Sequence, residues 1–155
     1  MNQNQIIWSD PQTAFFLSKQ VASHHVFDFI INEMKRAETM VISSFAITDQ
    51  YVRRLIRNQD RISRITLFLD FTIASRNARV TQFAALNVAE LFLTNNHSKT
   101  IYAKNAGTEM LAVMSNNATN NLRYESGIIF RDHDLIPQFL TQYETMKTDS
   151  VQWKS

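Results

Sequence analysis

The chain contains no cysteine, and only two glycines and two prolines in 155 residues. Without cysteine there are no disulfides, no thiolate metal sites and no thiol nucleophile. Gly107 and Gly127 alone cannot build a glycine-rich phosphate loop of the Walker or dinucleotide type. No Gly-x-Ser-x-Gly elbow is present. No apolar run approaches the roughly 20 residues that cross a bilayer. The opening MNQNQIIWSDPQ lacks the basic and apolar regions of a signal peptide. These absences point to a soluble, cytoplasmic protein with no membrane partner.

What remains is 45% hydrophobic and 19% charged, the composition of a globular chain. Its length suits one domain, 1–155, with a core of its own. The net charge of +2 is unevenly spread. Between Arg53 and Arg79 only Asp60 and Asp70 oppose a run of arginines. Such a stretch is either a solvated helix face or a surface for a polyanion.

Hydrophobic periodicity predicts an alternating first half. HHVFDFIINEMKRAE (24–38) has helical spacing, with Val26, Phe27, Ile30, Ile31 and Met34 on one side. TMVISSFAI (39–47) is β-branched and nearly all apolar, as a strand buried on both faces would be. Thr48 or Asp49 then caps a helix with Val52, Leu55 and Ile56 on one face and Arg53, Arg54 and Arg57 on the other. ISRITLFLDF (62–71) reads as a strand and ARVTQFAALNVAELFL (78–93) as a helix. Alternation of this kind predicts an αβα sandwich with a mixed, largely parallel central sheet flanked by helices. After residue 95 the rhythm changes. SKTIYA, MLAVMS and RYESGIIF follow at short intervals, as adjacent strands would, and HDLIPQFLTQYETM (133–146) closes the chain as a helix. Asp134 is placed to cap it, with Pro137 in the first turn. Residues 1–24 form an N-terminal segment with no evident role.

The chemistry concentrates in the second half. Side chains two apart on a strand share a face. His97 and Lys99 therefore project together at the start of one strand, and Ser115 and Asn117 at the end of the next. If these strands are hairpin neighbours, the four converge. A nucleophile or base, a fixed positive charge and two neutral donors are what a phosphate diester requires, because its oxygens must be held while phosphorus is attacked.

In this order, His-x-Lys, Ser-x-Asn and then Glu125 resemble the motif of the phospholipase D-like superfamily, specifically its small single-motif nuclease branch. The resemblance spans about residues 25–145. The chain departs from the pattern at two residues, Lys104 where the family has aspartate and Met114 where it has the glycine before the serine, and its NAGTE segment between the two halves of the motif is longer than usual. The resemblance implies a metal-independent phosphodiesterase acting on nucleic acid, with no cofactor. His97 is then the nucleophile that forms a phosphohistidine. Glu125 accepts a hydrogen bond from the other ring nitrogen, and Lys99, Ser115 and Asn117 hold the phosphoryl oxygens. A second histidine must protonate the leaving oxygen. The chain has one such motif, so the resemblance implies a homodimer that shares the site, joined along the sheet edge carrying His97. Arg53, Arg54 and Arg57 are the candidate nucleic-acid contacts. The alternative is a degenerate member that binds DNA without cutting it, motivated by Lys104 and Met114. Metal ligation by His24, Asp28, Asp132 and His133 is a weaker option, since capping and surface roles explain those residues. Lipid headgroup hydrolysis ranks last, because no amphipathic membrane helix is recognisable.

Overall fold

The computed structural model describes residues 5–119 and 123–154. In chain order these form β1 (Ile7–Asp10), β2 (Thr13–Ser18), α1 (Ser23–Met34), β3 (Ala37–Ser44), α2 (Asp49–Arg57), β4 (Ile62–Asp70), α3 (Phe71–Arg76), α4 (Ala78–Asn87), β5 (Glu90–Thr94), β6 (Thr100–Lys104), β7 (Glu109–Met114), β8 (Glu125–Arg131), α5 (Leu135–Thr148) and β9 (Val151–Gln152). All the strands belong to one sheet, in the order β1-β2-β8-β7-β6-β3-β4-β5-β9.

The sheet is mixed, as expected, but it is not largely parallel. Only β3–β4 and β4–β5 pair in parallel, while the other six adjacent pairs are antiparallel. Parallel neighbours need helical crossovers, and these end at β5. From β5 the chain crosses the end of the sheet to lay β6 antiparallel against β3, and the remaining strands arrive by hairpins or from a chain terminus. The first two dozen residues supply β1 and β2, and β2 pairs along its length with β8, ending with Ser18 opposite Glu125.

Two helix boundaries also differ from the periodicity. The segment 78–93 splits, with α4 ending at Asn87 and Glu90–Thr94 forming β5 between β4 and β9. ELFLT fits either period, and pairing with the buried β4 decides it. Similarly, α1 stops at Met34 because Lys35 adopts φ 67°, so residues 37–38 already belong to β3. The last helix begins at Leu135. Asp134 makes no side-chain cap, and His133 Nδ1 instead accepts the Leu135 N–H at 3.1 Å.

The layers are unequal. One face of the sheet packs against α1, α2 and α4 through Phe27, Ile30, Val52, Leu55 and Ala84, which meet Met40, Ile42, Leu67, Leu69, Ile101 and Met110. The opposite face carries only α5, whose Ile136 and Tyr143 cover Phe68, Phe92, Tyr102 and Leu111. Since α5 spans only part of that face, Val113, Ile128, Phe15 and Ile7 remain exposed, in a row of register partners across β7, β8, β2 and β1. At one end of the sheet β2, β3, β4, β5 and β7 finish while β6 and β8 begin. That end holds the site.

Candidate active site

Thr100 at the start of β6 pairs with Val113 near the end of β7, and Gly127 of β8 pairs with Met114. The hairpin order therefore brings the start of one strand beside the end of the next. His97, Lys99, Ser115, Asn117 and Glu125 line one cavity of about 560 Å³, together with Arg123, Met114 and Phe139. All five residues expected to carry the chemistry face this one cavity.

His97 is exposed and rests against Phe45, their ring centroids 5.5 Å apart. Lys99 Nζ donates to His97 Nδ1 at 2.9 Å and to the His97 carbonyl at 2.8 Å. Burial lowers the Lys99 ammonium pKa below the usual lysine range, with Arg123 adding to the effect and Glu125 opposing it. Glu125 is 8% exposed and accepts hydrogen bonds from the Ser115 hydroxyl and from Arg123 Nε, the latter at 3.1 Å. No contact between Glu125 and His97 is formed within the chain, so the expected bond between them is absent here. Ser115 is used twice, since its Oγ also accepts the Ser126 N–H at 3.0 Å. Asn117 Oδ1 is buried and has no hydrogen-bond partner among the described residues.

The loop carrying His97 rests on a buried network that the spacing of HSK did not reveal. Asn96, 4% exposed, donates from Nδ2 to Ser43 Oγ and to the Ser44 and Phe68 carbonyls at 2.9–3.2 Å. Its Oδ1 accepts from the Ser98 N–H and hydroxyl. Asp70, at the end of β4, accepts the Asn96 N–H at 2.9 Å and the Thr72 N–H at 2.9 Å. Burial alone would raise the Asp70 carboxyl pKa. Hydrogen bonds from Thr72 and Asn96, and the nearby His97, hold it below the ordinary carboxylate value. No local signal in the sequence links Asp70 to Asn96, which stand 26 residues apart.

Both residues that depart from the motif have structural answers. Lys104 ends β6 opposite Glu109, at the far end of the strand from His97, so no phosphate-holding group is lost there. Met114 is buried, and its partner across the sheet is Gly127. A Cβ on Gly127 would lie 2.6 Å from the Phe16 ring and 2.9 Å from Met114 Cβ. The bulk at Met114 is thus accommodated by a glycine on the neighbouring strand.

The arginines of α2 are not equivalent. Arg53 is exposed, pairs with Asp49 at 2.6 Å and lies over the Phe83 ring. Arg54 is half-buried, not solvent-facing, and binds Asp28 at 2.6 Å. Arg57 is exposed and has no partner among the described residues. The metal option dissolves on geometry. Asp132 accepts from Glu109 N and Thr108 at the opposite end of the sheet from His24. Among the described residues no three histidine or acidic side chains gather as ligands. The strand that follows His97, β6, lies between β3 and β7. It is therefore not an edge, and any partner must approach at the strand ends or on the sheet face. No helix among the described residues is long and apolar enough to cross a membrane.

A mixed sheet between α1–α4 and α5, with a His-x-Lys loop facing a Ser-x-Asn turn at the strand ends, defines a phospholipase D-like fold. Comparison with solved structures bears this out. The phospholipase D family member Nuc from Salmonella typhimurium superposes with a TM-score of 0.73 at 14% identity, over 93% of this chain and 100% of that one. NucT from Helicobacter pylori gives 0.71 at 13% identity, over 92% and 99%. TrmBL2, an archaeal chromatin protein described as having a novel mode of DNA binding, gives 0.63 at 10% identity, over 93% of this chain and 55% of that one. No family model matches the chain, and no curated protein does.

Proposed function

We propose that the protein is a metal-independent phosphodiesterase that cuts nucleic acid through a phosphohistidine on His97. The observation carrying this reading is the gathering of His97, Lys99, Ser115, Asn117 and Glu125 around one cavity. Lys99 neutralises a non-bridging oxygen, and the Asn117 and Ser115 side chains, with Arg123 at the rim, receive the others. A bound phosphate draws the Lys99 ammonium off Nδ1 and frees the ring to attack. The His97 nitrogen forms an N–P bond as the P–O bond to the leaving nucleoside breaks. A second histidine protonates that oxygen, then takes a proton from water, whose oxygen displaces His97.

The second histidine comes from another copy of the chain. The exposed row Val113, Ile128, Phe15 and Ile7 supports this, because Val113 also lines the cavity. An apolar surface continuous with the site is suited to a partner that completes it. Light scattering should report a dimer, and Ile128→Glu should give an inactive monomer. An active wild-type monomer would remove the shared site from the account.

A non-cutting DNA-binding protein is the second reading. It is favoured by the fold's occurrence in a chromatin protein and by the missing His97–Glu125 bond. Incubation with plasmid in EDTA separates the two: cutting that is lost in His97→Asn supports the enzyme, and binding without cutting at any enzyme concentration supports the module.

A further inference from the structure

The turn that carries Ser115 and Asn117 has a second side. Asn116 points away from the cavity and donates to the Val21 carbonyl at 2.8 Å, just before α1. Thr48, the N-cap of α2, donates its N–H to the Ala118 carbonyl at 3.1 Å. One short turn is thus tied to the starts of both helices. Between those helices lies a cleft of about 280 Å³, lined by His24, Gln50, Tyr51, Arg54 and Arg57.

The cleft has the chemistry of an anion site. Gln50, Arg54 and Arg57 are spaced i, i+4 and i+7, one stripe along α2. Asp28 holds one Arg54 nitrogen and so fixes the guanidinium, whose other N–H groups remain to donate. Arg57 is unpartnered among the described residues. The first turn of α1 carries no acid against its dipole. Asp49 is occupied by Arg53 and lines a different cleft with Arg79. Among the described residues that line the cleft none is a carboxylate, and Asp28 is paired with Arg54 beside it. His24 adds a neutral ring: burial first, then His25 and Arg54, push it down to about 4, against the pull of Asp28.

We propose that the α1–α2 cleft is a second phosphate site, which receives a backbone phosphate of the nucleic-acid strand whose scissile diester lies at His97. The proposal rests on the functional reading above for its ligand, and on the cleft alone for its chemistry. The turn between the two sites places Ser115 and Asn117 against one phosphate while its Asn116 and Ala118 anchor the helices that bind the other.

The test uses full-length His97→Asn protein, so that cutting cannot interfere, and follows the His24 ring by NMR, assigned with His24→Gln. Inorganic phosphate and a short oligonucleotide are titrated separately. Both should shift the His24 signals, and each should bind about tenfold more weakly to Arg57→Gln, the loss expected for one charge-assisted hydrogen bond. Arg57→Lys should recover part of the affinity. Signals unmoved by either ligand, or moved by inorganic phosphate and not by the oligonucleotide, overturn the proposal. Shifted signals in a protein whose wild type never cuts would leave the cleft standing and remove the catalytic reading.

Discussion

The two loops that meet at the cavity are held in opposite ways. The His97 loop stands on Asn96, whose side chain is fully engaged with β3, the carbonyl of Phe68 on β4 and Ser98, and whose N–H is fixed by Asp70. The Ser115–Asn117 turn is anchored by backbone and by Asn116 Nδ2, yet leaves Asn116 Oδ1 and Asn117 Oδ1 buried and unpartnered among the described residues. Buried amide oxygens without partners are costly, and only a hydrogen-bond donor can complete them. The comparison teaches a division of labour. A nucleophile needs a fixed direction of attack, so its loop is braced from below. The turn that grips phosphate carries unsatisfied acceptors of its own, so it is held less firmly than the brace beneath His97.

The largest effect expected is on turnover. His97→Asn should reduce cleavage to background, by a factor of roughly a thousand or more, since no other histidine among the described residues lines the cavity. Circular dichroism should be unchanged, because the side chain is exposed. Residual activity within tenfold of wild type would put the nucleophile elsewhere.

The brace comes next. Asn96→Ala orphans several buried groups at once and should cost roughly 2–4 kcal/mol by urea unfolding. Asn117→Ala, on the unsatisfied turn, should cost under about 1 kcal/mol while weakening substrate binding. If the two variants lose equal stability, the distinction between the loops is wrong.

Gly127→Ala should destabilise by about 1–3 kcal/mol, because its Cβ meets Phe16 and Met114. Phe16→Leu, which removes the ring atoms nearest that Cβ, should relieve part of this loss in the same chain, and a purely additive double variant would show that the two residues do not share space.

A pH profile tests the Lys99 site. Its ammonium is the form that grips phosphate, and burial favours the neutral amine. The rate should therefore fall on the alkaline side before ordinary lysines titrate, near pH 10. Lys99→Arg should keep less activity but move that limb upward. The stability effect has its own sign. A lysine whose folded pKa is depressed binds fewer protons in the folded state, so it costs stability below that pKa and the cost fades as pH rises through it.

The smallest effect belongs to Arg57. Arg57→Ala should lower the salt dependence of DNA binding by about one unit of log–log slope. Arg54→Ala will be harder to read, since it also strands Asp28. An unchanged slope for Arg57→Ala would remove that role from this residue.

Much of this molecule was legible before its structure. The hairpin order of β6 and β7 was enough to bring HSK and SNN together, although the strand spacing did not hold: His97 and Lys99 lie in the loop before β6, and Ser115 and Asn117 in the turn after β7. The same local logic put the cap at Thr48 or Asp49, of which Thr48 serves, and Val52 and Leu55 in the core. What stayed hidden was non-local. ELFLT reads as the end of a helix until β4 lies beside it. TAFFLS reveals itself as a strand only when β8 offers a partner, and IWSD only when TAFFLS does. Asp70 and Asn96 are 26 positions apart, and nothing in either neighbourhood announces the bond between them. Gly127 is similar: its need for a missing side chain comes from Met114 and Phe16, which are adjacent only across the sheet.

The most direct test of the central claim is a search for the covalent intermediate. Wild-type protein quenched at alkaline pH during turnover of a slow phosphodiester, in EDTA, should yield a peptide containing residues 95–104 that is heavier by the transferred phosphoryl group. The adduct should sit on His97, be lost in acid and be absent from His97→Asn. Turnover in EDTA with no adduct on His97 under any quench, or an adduct on another residue, would contradict the account.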